Sequence, residues 1–158
     1  MENIFRETSE LLEFVERVKS QNKKIVSTNG CFDILHRGHI EYLNETAKFG
    51  DVFIVGINSD KSVKMLKGES RPLQNENDRA YILCCLKPVD AVFIFDEATP
   101  CRFLETLKPD IHTKGGDYDV EKLPETEIVR KLGGEVKIIK FVDGYSTTKI
   151  VEKMNDNG

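Results

Sequence analysis

Two histidines three positions apart, His36 and His39 in the run FDILHRGH, flank an arginine and a glycine directly after the stretch KKIVSTNG. An imidazole with an unperturbed pKa near ~6.5 can present a donor to a phosphate oxygen whether neutral or charged. The spacing brings both rings to one face of a helical first turn. There the unpaired backbone N–H groups and the helix dipole favour an anion. Gly38 between them leaves room for a phosphate to approach the backbone. A single histidine would pass as a cap or a solvated side chain; the pair, placed after a strand and opening a helix, points to phosphate chemistry.

Three other stretches offer related chemistry. Lys61, Lys64, Lys67 and Arg71 stand against Glu69 alone, and Gly68 and Pro72 mark the same segment as a loop. Such a run is ordinarily a solvated face; its functional alternative is a loop that closes over a triphosphate. GYSTTKI supplies hydroxyls and N–H groups at a helix start. An ordinary N-cap explains Ser146, and the two threonines after it, Thr147 and Thr148, favour a phosphate contact. KGGD, from Lys114 to Asp117, is a glycine-rich turn and by itself a weak signal.

The elements that must position these residues alternate along the chain. Leu11, Leu12, Val15 and Val18 have helical spacing and predict an N-terminal helix over about residues 6–20. KIVST, DVFIVGIN, DAVFIF, DIHTK and EVKIIKF read as five strands, the second almost continuously apolar, as buried parallel strands are. Helices are expected at HIEYLNETAKFG, near SDKSVKML, at NENDRAYILCCL, at TPCRFLETL with Pro100 in its first turn, before LGG, and at STTKIVEKM. The expectation is a single Rossmann-like α/β domain spanning 1–158, with its core over about 23–154: a five-stranded parallel sheet, helices on both faces and right-handed crossovers. Ligands of such sheets bind beyond the carboxyl ends of the strands, near the topological switch point.

Composition narrows the function. The 158 residues are 39% hydrophobic and 32% charged, enough for one domain with its own core. A net charge of −4 argues against a general nucleic-acid binder, so an anionic ligand must be held by local positive charge. Apolar runs fall far short of the ~20 residues of a bilayer span, and the acidic N-terminus does not resemble a signal peptide. A cytoplasmic protein without nucleic-acid or membrane partners is expected. Cys31, Cys84, Cys85 and Cys101 show no CxxC spacing and form no zinc pattern with the histidines, so no protein metal site is expected.

The runs TNGCFDILHRGHIEYL and GYSTTKI resemble the two signatures of the HxGH nucleotidyltransferase superfamily, whose members join a nucleotide to a phosphorylated small molecule and release pyrophosphate. Within it, TNGCFDILHRGH, NSDKSVKMLKGESRP, KGGDY and DGYSTTKI resemble, in order and over roughly residues 10–153, the adenylyltransferase half of the bifunctional heptose-phosphate kinase/adenylyltransferases. The resemblance implies transfer of AMP from ATP, with Mg²⁺, to D-glycero-D-manno-heptose 1-phosphate. The product would be ADP-heptose for lipopolysaccharide-type glycans. It implies a separate kinase and a homodimer. Two alternatives stay open: a cytidylyltransferase for glycerol phosphate or another alcohol phosphate, and a nucleotide-binding regulator that has lost the chemistry.

By the same resemblance His36, His39 and Lys67 are expected to be catalytic, with Lys61 a bystander. Asn29, Gly30, Cys31, Phe32 and Gly38 would face the nucleotide, together with Arg79 from a helix, Gly115, Gly116 and Asp117 from the glycine-rich turn, and Ser146, Thr147 and Thr148. Asp33, Lys64, Arg71 and Lys114 would meet the sugar phosphate, Asp33 orienting the site rather than acting as a base. Glycerol-phosphate cytidylyltransferases carry a run resembling R-T-x-G-I-S-T, whose arginine falls where this chain has Phe141. An aromatic face suits a purine, with backbone near Ile139 to Val142 reading the adenine edge; alternatively Phe141 merely ends the fifth strand in the core.

Overall fold

The computed structural model describes residues 3–141 and 143–158. Its strands are β1 (Ile4–Phe5), β2 (Ile25–Gly30), β3 (Val52–Asn58), β4 (Ala91–Phe95), β5 (Ile111–Gly115) and β6 (Glu135–Ile139). The helices are α1 (Thr8–Ser20), α2 (Arg37–Ala47), α3 (Asp60–Lys67), α4 (Glu76–Cys84), α5 (Cys101–Leu107), α6 (Pro124–Lys131) and α7 (Thr147–Asp156). All strands pair in parallel, in the order β1-β4-β3-β2-β5-β6. The sheet thus has six strands, not the five expected. The extra one is only two residues long, too short for a periodic pattern, and joins the edge through Ile4 opposite Val92 and Phe5 opposite Phe93.

Successive residues of a buried strand feed opposite faces, and two apolar clusters result. On one face Leu11, Phe14, Val15 and Val18 of α1 join Phe103, Leu104 and Leu107 of α5 and Val129 of α6 over Ile25, Ile54 and Phe93. Leu12, expected in this core, is 43% exposed. On the other face Leu43 of α2 and Ala80 and Leu83 of α4 cover Val26, Phe53, Val55 and Val92.

The amino ends of the strands are closed by one repeated device. Asp51, Asp90 and Asp110 each directly precede a strand, and each exchanges two bonds with the start of the strand beside it. The Asp51 carboxylate accepts from the Lys24 N–H at 2.8 Å, Asp90 from Phe53 at 2.8 Å and Asp110 from Ile25 at 2.7 Å. In return their own N–H groups donate to the carbonyls of the same three residues.

After β2 the chain moves outward through β3 and β4, then returns to place β5 on the other side of β2. This makes the carboxyl ends of β2 and β5 the switch point. The HRGH run leaves β2 there.

Candidate active site

His36 is the N-cap of α2 and has an extended backbone. Its Nδ1 accepts from the His39 N–H, and the Nδ1 of His39 accepts from the His36 N–H, both at 3.4 Å. The two imidazoles therefore form a reciprocal capping box, a role usually filled by Ser or Thr with Glu. Their rings stack with centroids 3.9 Å apart. Burial pushes the pKa of His39 down to about 4, with the charges of His36 and Lys67 adding to it, and burial lowers that of His36. Near neutral pH both rings are then neutral, and with Nδ1 accepting, each carries its proton on Nε2, facing away from the helix end.

This stacked pair stands between two cavities. The first, about 320 Å³, lies beyond the ends of β2 and β5 and is lined by His39 with Asn29, Gly30, Cys31 and Phe32 on one side and Lys114 and Gly115 on the other. Lys67, at the end of α3, reaches it, as do Tyr42, Tyr118 and Phe141. The second, about 410 Å³, runs between the starts of α2 and α7 and is lined by His36, Arg37, Tyr145, Ser146, Lys149 and Lys153. Among the described residues the backbone N–H groups of Arg37, Gly38, Thr147 and Thr148 donate to no protein group. Two helix starts thus leave open donors on either side of the histidines, the arrangement that suits an anion.

The aromatic walls depend on glycine. A Cβ at Gly115 would come within 2.5 Å of the Phe141 ring and 3.1 Å of Tyr42, and one at Gly116, whose φ is +127°, within 2.9 Å of Tyr118. Phe141 is 49% exposed, so it does not end β6 in the core but stands at the cavity edge. Of the backbone proposed to read adenine, Val142 lies outside the described residues.

Several expected site residues are placed otherwise. Arg79 was expected on the nucleotide, but it is 1% exposed. Its guanidinium donates inward to the carbonyls of Gln74, Cys31 and Asn58 and to Asp60. It ties the ends of β2 and β3 to α4, so it positions the site from behind. Asp33, expected on the sugar phosphate, lines the first cavity but is 3% exposed. Its carboxylate accepts from the N–H groups of Leu73 and Gln74 and from Arg71 Nε at 2.8 Å. Burial alone would raise its pKa; these donors outweigh that and hold it below the usual carboxylate range. Arg71 Nε is thereby tied to the loop.

Gly38 leaves its backbone N–H open, and its lack of a side chain also serves packing. A Cβ there would meet the His36 ring and Tyr145 at 3.0 Å, so it makes room for those side chains. Ser146, on the second cavity, caps Lys149 N–H at 3.1 Å, and Thr147, on the first, donates to the Ile34 carbonyl at 3.0 Å, fastening α7 to the α2 entrance. Lys64, Asp117 and Thr148 are exposed and line neither cavity. Lys114 pairs with Glu125 at 2.9 Å. The Cys31 thiol is pushed up by burial against the pull of Lys67, Arg79 and Arg71, and stays a protonated, packed side chain.

Tyr42, Tyr118, Tyr145 and His112 were not singled out from the sequence. Tyr42 had a signal, since it follows His39 by three residues on the same helical face. Its hydroxyl bonds Thr28 at 2.5 Å and Thr113 at 2.9 Å, bridging β2 and β5 under the cavity.

Comparison with known proteins places the chain in a family. The cytidylyltransferase-like family model matches residues 27–153. The bifunctional protein HldE of Geobacter metallireducens is 52% identical over 140 residues, covering 89% of this chain and 29% of that protein. HldE of Koribacter versatilis is 52% identical over 145 residues, covering 92% and 30%. The chain therefore spans less than a third of the length of these relatives. A crystal structure of the lipopolysaccharide core biosynthesis protein from Thermoplasma volcanium superposes with a TM-score of 0.64 at 34% identity, covering 78% of this chain and 99% of that one. Pantoate-beta-alanine ligase from Francisella tularensis, at 15% identity and a TM-score of 0.62, covering 99% of this chain and 78% of that one, shares the fold.

Proposed function

This chain belongs to the cytidylyltransferase-like family, and from that premise we propose that it transfers AMP from ATP to D-glycero-D-manno-heptose 1-phosphate, giving ADP-heptose and pyrophosphate. The observation that carries the reading is the stacked histidine pair standing between two cavities, with unpaired helix-start donors on both sides. The partial identity to HldE proteins supports the heptose assignment.

A phosphate oxygen of the sugar phosphate attacks the α-phosphorus in line, the bond to the bridging oxygen of the leaving pyrophosphate breaks, and no covalent enzyme intermediate is needed. Charge grows on the non-bridging and leaving oxygens. The Nε2–H groups of His36 and His39 and the N–H groups of both helix starts are donors already in place for it. Lys67 and Lys114 bring positive charge to the first cavity, whose Phe141 and Tyr118 rings suit a nucleoside. Arg37, Lys149 and Lys153 line the second together with Glu152 and Asp156. Mg²⁺ accompanying ATP would neutralise triphosphate charge, without a dedicated protein cage among the described residues. The enzyme is proposed to act as a single cytoplasmic domain and as a homodimer. Among the described residues no helix is long and apolar enough to cross a membrane.

Pyrophosphate release across a panel of nucleotides and sugar phosphates tests this. ATP should exceed CTP by at least ~100-fold in kcat/KM, about 2.7 kcal/mol of transition-state discrimination. Comparable rates with CTP and glycerol phosphate would replace the heptose reading by the alcohol-phosphate one.

A further inference from the structure

One titratable side chain lies inside the sheet itself, against the wall of the first cavity. His112 of β5 is fully buried and sits in register with Ser27 of β2. Ser27 Oγ is 2.7 Å from its Nδ1, and Asn29 Oδ1 is 3.2 Å from its Nε2. Ser27 and Asn29 are two apart on one strand and so share a face, and Asn29 lines the cavity.

The protons of this chain can be placed. The Ser27 hydroxyl is fully buried, and among the described residues Nδ1 is the one acceptor offered to its hydrogen. Leaving that hydrogen unpaired would cost ~1–3 kcal/mol, so the hydroxyl donates to Nδ1. The ring does not take a second proton. Burial, helped by the Lys114 cation and opposed by Glu125, pushes its pKa down to about 3. The single ring proton is therefore on Nε2 and goes to the Asn29 oxygen. That fixes the amide orientation: oxygen inward, NH₂ toward the cavity, with no acceptor among the described residues.

We infer that Ser27, His112 and Asn29 form a proton-ordered relay in which His112 is a positioning residue, holding the Asn29 NH₂ as a donor to a phosphate oxygen of the bound substrates. The inference rests on the proposed reading of the cavity as the nucleotide and sugar-phosphate site. An apolar residue at 112 would leave both the serine hydrogen and the asparagine oxygen unpaired.

Two near-isosteric replacements separate positioning from packing. A Gln amide reaches the Nε2 position and can still donate to Asn29; an Asn amide reaches only the Nδ1 position. With ATP and D-glycero-D-manno-heptose 1-phosphate, kcat/KM should fall ~30-fold in Asn29→Ala and ~10-fold in His112→Asn, the worth of about one hydrogen bond, but no more than ~3-fold in His112→Gln. The double variant Asn29→Ala/His112→Asn should be no worse than Asn29→Ala. Equal losses in the two His112 variants, or losses that multiply in the double variant, would overturn the relay. The ¹⁵N shifts of the His112 ring in the free wild-type protein give an independent answer. A protonated Nε2 and bare Nδ1 are expected, and a protonated Nδ1 refutes the relay even where variants fail to fold. This second measurement involves no substrate, so a wild-type enzyme inactive on the heptose phosphate would count against that assignment alone.

Discussion

The two ends of the sheet are built on different rules. At the amino end, Asp51, Asp90 and Asp110 repeat one arrangement, each carboxylate capping the N–H of a neighbouring strand, and no backbone donor of these pairs is left for a ligand. At the carboxyl end the connections are varied: a histidine capping box after β2, serine caps after β3 and β6, and a glycine pair after β5. There helix-start N–H groups stay open, and Lys67, Lys114 and Arg37 gather beside neutral imidazoles. In a protein of net charge −4, negative charge is spent on closing one end and positive charge is kept for the other. Stability and chemistry are thus separable by substitution.

The largest effect should come from the histidines. His36→Ala or His39→Ala should lower kcat by roughly 100- to 1,000-fold, the loss typical of one preorganised donor, while ATP affinity changes less. Because both rings are neutral in the free enzyme, kcat/KM should show no decline on their account between about pH 7 and 8.5. A fall across that range would mean that the imidazolium is the working form. Near-normal turnover in both variants would abolish the contrast between the two ends.

A smaller effect is expected at the basic run. Lys67 lines the first cavity and its charge is felt at His39, whereas Lys61 is exposed on the first turn of α3. Lys67→Ala should cost ~10-fold in kcat/KM, and Lys61→Ala less than ~2-fold, as for a solvated charge. Steady-state rates at two ionic strengths would distinguish them: equal, salt-sensitive losses would mean a diffuse field and no positioned side chain.

Much of this plan was legible in the sequence because burial imposes simple patterns. DVFIVGIN read as a buried parallel strand, and two histidines at a strand-to-helix junction marked the carboxyl end of β2. What was not legible depends on register. Arg79 and Asp33 stand in runs that read as ligand-binding, yet long-range pairing turned both inward: Arg79 onto the carbonyls of Cys31 and Asn58, Asp33 onto the 71–74 loop. His112 gave no spacing signal, because its partners Ser27 and Asn29 lie more than eighty residues away and meet it only through the β2–β5 pairing. The two-residue β1 carries no period at all. Local chemistry was readable; which of two charged residues faces the solvent side of a loop was not.

The smallest expected effect on activity is at the closed end, and it is the sharpest test of the comparison. Asp90→Ala removes the carboxylate acceptor of the Phe53 N–H but keeps the backbone bond from Asp90 N–H to the Phe53 carbonyl. A hydrogen bond to a charged, partly buried group is worth about 1.5–3 kcal/mol, and water can partly replace it at the sheet edge, so a stability loss near the lower figure is expected. That corresponds to a Tm drop of a few degrees for a chain this size. The β4 register is also held by five residue pairings with β3, so the strand should not slip. Asp90 bonds the start of β3 while the histidines follow the far end of the neighbouring β2, and kcat and KM should remain within ~2-fold of wild type, as additivity of distant sites requires. Denaturation and steady-state kinetics on the same preparation decide it. A loss of turnover exceeding the loss of folded protein would show that the amino end sets the geometry of the carboxyl end, and the two could no longer be treated as independent.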